Sequence, residues 1–271
     1  MTSLPLYQVD AFTNRVFRGN PAAVMPLEQW LPENTLQALA LENHLSETAF
    51  LVPEPAGSEA DFHIRWFTPG AEVPLCGHAT LASAWVLFNR LDWPREQIRF
   101  RSRSGPLSVS REPGDWLELD FPALEYQSIP TPDVLSRALP ELPEPIYEVP
   151  RDTNLLAILE DAAAVRNAAP DLTILKKLGN QGLIVTAPGD DCDFVSRYFA
   201  PGVGIDEDPV TGSIHSVLTP YWSDRLGKQQ LLARQLSARG GELRCELAGD
   251  RVKIAGQAAF YMEGTVHLPS R

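Results

Sequence analysis

The chain has 271 residues, a formal net charge of −12 and a hydrophobic fraction of 44%, which is enough for one large domain or two lobes with a sizeable core. The acidic balance argues against nucleic acid or an anionic membrane surface as partner, while leaving room for a small anionic metabolite held at a helix end. Cys76, Cys192 and Cys245 form no CxxC or zinc spacing, as expected of a reduced, cytoplasmic setting; MTSLPLYQVD carries no signal-peptide pattern, and no apolar run approaches the ~20 residues that span a bilayer.

In chain order, Tyr7 to Phe12 alternates like a strand, and Gly19-Asn20-Pro21 turns the chain into an extended run from Ala22 to Met25. Pro32 to Asn43 has helical periodicity, with Leu36, Leu39 and Ala40 on one face. Ser46-Glu47-Thr48 leads directly into a β-type run, Ala49 to Val52, and Phe62 to Phe67 is a further strand. Gly77 to Leu91 reads as a helix, followed by strands at Ile98–Arg101, Leu107–Ser110 and Trp116–Leu119. Seven prolines between positions 122 and 150 mark the join between an N-terminal half, 1–127, and a C-terminal half, 128–271. One short helix is expected after Thr131-Pro132-Asp133.

The second half follows the same plan. Leu155–Leu159, Leu183–Thr186 and Phe194–Phe199 are strands, and Asp161–Lys177 is helical with a break at Pro170. Ser213 to Leu226 is the second long helix, in which Pro220 is expected to cause a kink or an early end. Strands at Leu243–Leu247, Val252–Ile254 and Ala259–Tyr261 close the chain. Many short strands with one long helix per half define an α+β class.

The two halves also match residue by residue. RWFTPGAEVPLCGH, from Arg65, parallels RYFAPGVGIDEDPVTGS, from Arg197. Pro74 pairs with Pro209 and Gly77 with Gly212 at an offset of 135, which also relates Arg90-Leu91 to Arg225-Leu226, Ser102 to Ser237 and Asp115 to Asp250. Upstream of Pro74 the offset is 132, so Asp61-Phe62 matches Asp193-Phe194. A string of matches at one offset indicates an internal duplication far longer than a solenoid period.

The duplicated helix starts collect the polar candidates. Helix N-termini present unpaired amides and partial positive charge, so Gly77-His78 and Gly212-Ser213 are anion-binding candidates. Asp208 and Ser213 read equally as capping groups, and His78 as a solvated first-turn residue or an acid/base. Glu47 is either a cap or a carboxylate with a chemical task; the nearby copy-two residues, Asn180 and Gln181, are amides, so the fold itself does not demand an acid. Cys76 and Thr211 occupy matched positions, which disfavours a racemase that needs two thiols; Cys76 then reads as a packed small residue. No dinucleotide fingerprint, P-loop, HExxH-type metal spacing or GxSxG elbow is present, and neither cofactor nor metal is expected.

QVDAFTNRVFRGNPAAV, SETAFLV, FTPGAEVPLCGHATLASA and DEDPVTGSIHSVL together resemble the phenazine-biosynthesis PhzF-like family, from Gln8 to about Gly264. The resemblance implies a diaminopimelate-epimerase-like fold: two similar halves, each a mixed barrel-like sheet around a central helix, with ligand in the cleft between them and often a homodimer. It implies a cofactor-independent isomerase that moves a proton on a small carboxylate-bearing molecule. Glu47 would be the acid/base, assisted by His78 and Asp208, with Gly77, Gly212, Ser213, Cys76 and Asn20 binding substrate. Two alternatives remain at this stage: an epimerase using Glu47 and Cys76, and a small-anion binding protein without turnover.

Overall fold

The computed structural model describes residues 2–140, 142–152 and 154–269. The N-terminal elements are β1 (Thr2–Ala11), β2 (Asn20–Pro26), α1 (Glu33–Asn43), β3 (Glu47–Pro53), β4 (Phe62–Phe67), β5 (Glu72–Val73), α2 (Gly77–Arg90), β6 (Gln97–Ser102), β7 (Gly105–Glu112) and β8 (Trp116–Pro122). Then come β9 (Gln127–Ile129), α3 (Asp133–Ala138), β10 (Ile146–Val149), β11 (Asn154–Ile158), α4 (Ala162–Asn167), α5 (Leu172–Leu175), β12 (Leu183–Pro188), β13 (Phe194–Ala200) and β14 (Ile205–Asp208). The last elements are α6 (His215–Leu226), β15 (Gln230–Gln235), β16 (Gly241–Ala248), β17 (Arg251–Gly256) and β18 (Ala258–Leu268). Among the described residues, no helix is long and apolar enough to cross a membrane.

The chain forms two compact units, Met1–Asp120 with Ala255–Arg271, and Phe121–Ile254. This corrects the single cut expected at 127/128. The C-terminal segment joins the first unit because β18 pairs antiparallel along all of β1, from Thr2 opposite Leu268 to Ala11 opposite Ala258. The proline-rich stretch is no bare join either: β9 and β10 pair with each other, and β10 with β11, inside the second unit.

In the first unit β1 is antiparallel to β2, β2 parallel to β3, β3 antiparallel to β4, and β4 parallel to β6. The two parallel steps need crossovers, and α1 and α2 supply them. Eleven of the fourteen residues of α2 are buried, which makes it a central helix rather than a surface one. It packs against β1, β2, β3, β7 and β18. The second unit repeats the scheme: β10 antiparallel to β11, β11 parallel to β12, β12 antiparallel to β13, β13 parallel to β15. Here α4 and α5 make the first crossover and α6 the second. Asp161 and Asp171 each cap a helix, accepting from Ala164 N at 2.7 Å and Ile174 N at 3.0 Å, so the break at Pro170 yields two separately capped helices. An Arg–Glu pair braces each copy at the same place. Arg65 Nε and Nη2 each donate to Glu72 at 2.8 Å, and Arg197 donates to Glu207 at 2.6 and 2.9 Å.

Two expectations about α6 change. It begins at His215 rather than Ser213, because Gly212–Ile214 form a tight turn with His215 N bonded to Gly212 O at 3.0 Å. Pro220 does not end it. Proline cannot donate to the carbonyl four residues back, which is Ser216 O, and that carbonyl instead accepts the Leu124 amide at 2.9 Å.

The register also corrects the copy-two counterpart of Glu47. Thr48 lies opposite Phe67 and Leu183 opposite Phe199, and Phe67 and Phe199 are repeat partners. Glu47 therefore corresponds to Gly182, not to Asn180 or Gln181. A Cβ on Gly182 would lie 2.4 Å from the Tyr198 ring and hydroxyl. Asn154 Oδ1 fixes both, accepting Gly182 N at 3.1 Å and the Tyr198 hydroxyl at 2.9 Å. We expect Gly182→Ala to lower unfolding free energy by about 1–3 kcal/mol through overpacking. Denaturant midpoints check this, and the additional substitution Tyr198→Leu should recover part of the loss.

Candidate active site

The first unit holds five of the expected residues: Gly77, which opens α2, and four whose side chains cluster. Glu47 opens β3 after a three-residue turn from α1, His78 is the second residue of α2, Cys76 is that helix's N-cap, and Asn20 opens β2. All four are buried: Asn20 is 0% exposed, His78 5%, and Glu47 and Cys76 7% each. Nε2 of His78 lies 3.1 Å from Oε2 of Glu47. The approach is off the line of a hydrogen bond, and Oε2 is a buried oxygen without a hydrogen-bond partner among the described residues. The Cys76 sulfur is 3.4 Å from Nδ1 and 4.0 Å from Nε2 of the same ring. Asn20 Nδ2 faces Nδ1 at 3.2 Å, and Ser46 donates to Asn20 Oδ1 at 3.3 Å.

This packing sets the charge states. Burial disfavours the His78 imidazolium, but the neighbouring Cys76 and Glu47 outweigh it and hold the ring's pKa well above the ordinary histidine value. Burial, reinforced by the Glu47 charge, pushes the Cys76 thiol up to about 11. At neutral pH the sulfur is therefore a neutral thiol, and the charge that favours a protonated His78 is the Glu47 carboxylate. With its Nδ2 toward the ring, Asn20 donates to the Nδ1 lone pair and directs the ring proton to Nε2, against Glu47. Protonation of both nitrogens goes with the Asn20 amide turned the other way, its oxygen accepting from Nδ1.

The second unit holds Asp208, Gly212 and Ser213 around a separate network. Asp208 ends β14, and its Oδ2 accepts the Thr211 hydroxyl at 2.5 Å. Gln235 Nε2 donates to Asp208 O at 2.8 Å and to Thr211 Oγ1 at 3.2 Å, while Gln235 Oε1 accepts the Thr211 amide at 2.8 Å. Gly212 and Ser213 lie in the turn that precedes α6. Thr211 and Gln235 were not singled out as site residues from sequence. Thr211 was visible only as the match of Cys76, and Gln235 lies on a strand the periodicity did not mark. The helix start also contains His215, fully buried, whose Nδ1 donates to Thr211 O at 2.9 Å. Its Nε2 has no hydrogen-bond partner, and burial drives its pKa down to about 4.

The spacing of Glu47, Cys76 and His78 along the chain gave no metal pattern, yet their ligand atoms all lie within 4.8 Å of one another. What defines the first unit's cluster chemically is a carboxylate and an imidazole in contact, out of water, with a thiol beside them. That is acid/base equipment on a fold of two matched α+β units.

Known proteins resemble this chain in fold and in sequence. The fold is shared with a hydroxyproline epimerase from Agrobacterium vitis, which superposes with a TM-score of 0.64 over 97% of this chain and 92% of its own, at 13% identity. The family model described as phenazine biosynthesis-like protein, PhzC-PhzF, matches residues 9–264, and the chain belongs to that family. A PhzF-family crystal structure from Enterococcus faecalis is 46% identical with a TM-score of 0.92, covering 98% of this chain and all of that one. A Pseudomonas aeruginosa protein named an uncharacterized isomerase is 52% identical over 98% of this chain and 99% of its own.

One pH effect follows from His215. Its pKa is depressed in the fold, so between about 6.5 and 4 the unfolded chain takes up a proton that the folded chain refuses. Stability is present above that window and is lost as pH falls through it, by roughly 3 kcal/mol. Urea titrations at pH 7 and pH 4.5 should show the loss, and His215→Gln should flatten it.

Proposed function

We propose that the chain is a cofactor-independent isomerase that moves a proton on a small carboxylate-bearing metabolite, with Glu47 as the acid/base. The observation that carries this is the buried Glu47 oxygen without a hydrogen-bond partner, 3.1 Å from His78 Nε2. An unshared carboxylate oxygen out of water is a base held ready for a C–H proton. His78, in contact with Glu47 at 3.1 Å, balances the carboxylate's charge and returns or relays the proton. Asp208 is proposed to orient substrate, its carboxylate itself fixed by Thr211. Backbone amides at Gly77-His78 and, in the other unit, those around Gly212-Ser213 are each suited to an anionic group or a developing enolate, and Cys76 and Asn20 shape the wall beside the reacting carbon.

The geometry favours this over the epimerase alternative. Two-base inversion needs groups on opposite faces of one carbon. Glu47 and Cys76 lie in one cluster, within 4.8 Å of each other and of His78, and so approach from the same side. The thiol is also held neutral far above physiological pH. The residue matched to Cys76, Thr211, has its hydroxyl committed to Asp208. One proton carrier on one face supports removal and return of the proton on that face, at different carbons.

The test is deuterium uptake from D2O into a panel of small carboxylic acids. Glu47→Gln should lower uptake by about 10²–10⁴-fold, the range of general acid–base groups. Stability near pH 8 should change by about 1 kcal/mol or less, because without the carboxylate His78 sheds its proton rather than remaining a buried unpaired charge. Undiminished exchange in this variant removes Glu47 from the mechanism. Binding of an acid by the native protein without any uptake favours the non-catalytic reading.

A further inference from the structure

The same three side chains carry chemistry that proton transfer does not use. Imidazole, thiolate and carboxylate are the ligands zinc-type cations select. With bonds of roughly 2.0–2.3 Å, tetrahedral zinc holds its ligand atoms about 3.3–3.6 Å apart. Here Nε2 to Oε2 is 3.1 Å, Nε2 to Sγ is 4.0 Å, and all three ligand atoms lie within 4.8 Å of one another, so inward shifts of up to about 1 Å close one face of a tetrahedron. The fourth position is left for water or an anion.

Two further features point to a cation. Oε2 of Glu47 is buried, lacks a hydrogen-bond partner, and faces the cluster. Asn20 stands behind the ring at Nδ1, where its carbonyl oxygen, turned inward, would accept Nδ1–H and orient a ring coordinating through Nε2. Charge also balances. A carboxylate, an imidazolium and a thiol sum to zero; when a dication enters and one proton leaves from each of His78 and Cys76 to solvent, the carboxylate, neutral imidazole, thiolate and metal again sum to zero. The buried site changes its occupant without acquiring net charge.

We propose that Glu47, Cys76 and His78 form a binding site for a thiophilic divalent cation of the zinc type, and that its occupation withdraws the acid/base pair from proton transfer. The cation acts here as a reversible inhibitor. The blocking half rests on Glu47 being the acid/base; the binding half does not.

Cobalt(II) and zinc(II) are the probes. Native protein should bind one Co²⁺ per chain with a thiolate-to-cobalt charge-transfer band and tetrahedral d–d bands, all abolished by equimolar Zn²⁺. Cys76→Ser should lose the charge-transfer band and bind at least ~10–100-fold more weakly, since even an outer-shell partner costs that much. Cys192→Ser, altering the partly exposed cysteine, should leave the band intact. No thiolate band, or one that survives Cys76→Ser, overturns the site. Should Cys76→Ser fail to fold, zinc X-ray absorption on native protein decides: one sulfur among nitrogen and oxygen ligands supports the site, and none overturns it. Deuterium exchange by zinc-loaded protein should cease and return after chelation; undiminished exchange overturns the blocking half. Retained exchange in Glu47→Gln would remove the catalytic reading without bearing on the cobalt spectrum of the native protein, so the two failures are separable.

Discussion

The contact on which the site depends is Glu47 against His78 out of water. A buried carboxylate on its own carries a desolvation penalty of several kcal/mol, and a buried imidazolium does too. Together they are tolerable, and the carboxylate helps hold the proton on the ring. The fold spends considerable structure on this pair. The three-residue turn between α1 and β3 delivers Glu47, and parallel pairing sets it opposite Ala22 on β2. The start of α2 delivers His78, and the turn into β2 delivers Asn20 behind the ring. Each residue sits at the first or second position of its element. There backbone direction is fixed by the element and the side chain is not yet enclosed by its neighbours.

The duplication shows what is framework and what is function. Both units keep the Arg–Glu brace, Arg65 with Glu72 and Arg197 with Glu207, the parallel crossovers and a mostly buried helix. Only one unit keeps an acid at the start of its third strand. In the other the position is Gly182, closed by the Tyr198 ring and tied by Asn154. A second carboxylate there would clash with that ring, so the asymmetry is built into packing. The same holds one step further on. Cys76 points its sulfur at an imidazole, whereas Thr211 is folded into hydrogen bonds with Asp208 and Gln235.

Much of this was legible in the sequence, and the reasons are physical. The repeat was readable because both copies need the same Pro, Gly and Arg at places where backbone geometry leaves little choice. The long helices were readable because burying nearly a whole helix leaves a dense apolar stripe. Glu47, His78, Asp208 and Ser213 came from the family likeness and from their place at element starts. The start of α6 was misplaced because a tight turn and a helix share the same apolar spacing over three residues. β5, β9, β10, β14 and β15 were missed, four of them only two to four residues long. The counterpart of Glu47 was misassigned because only strand pairing, not a sequence offset, decides alignment across a loop of different length. The three-ligand cluster was invisible because Glu47 is 29 positions from Cys76 in the chain, and nothing local marks them as neighbours.

The position of Cys76 completes the argument about mechanism. A thiol serves as an acid/base only when something stabilises its thiolate. Here burial and the Glu47 charge both act against the thiolate, and His78 does not offset them. The proximity that keeps the sulfur protonated is also what makes it available to a metal, because a dication removes the very repulsion between carboxylate and thiolate that raises the thiol's pKa. The cluster therefore has two internally consistent states. In one, protons balance the carboxylate and the sulfur is inert; in the other, a cation replaces two protons and the sulfur becomes a ligand. A free thiolate beside an ionised Glu47, by contrast, would bury two negative charges against at most one positive ring. Which state is occupied depends on the competition between protons and soft cations for three side chains that the fold has already brought together.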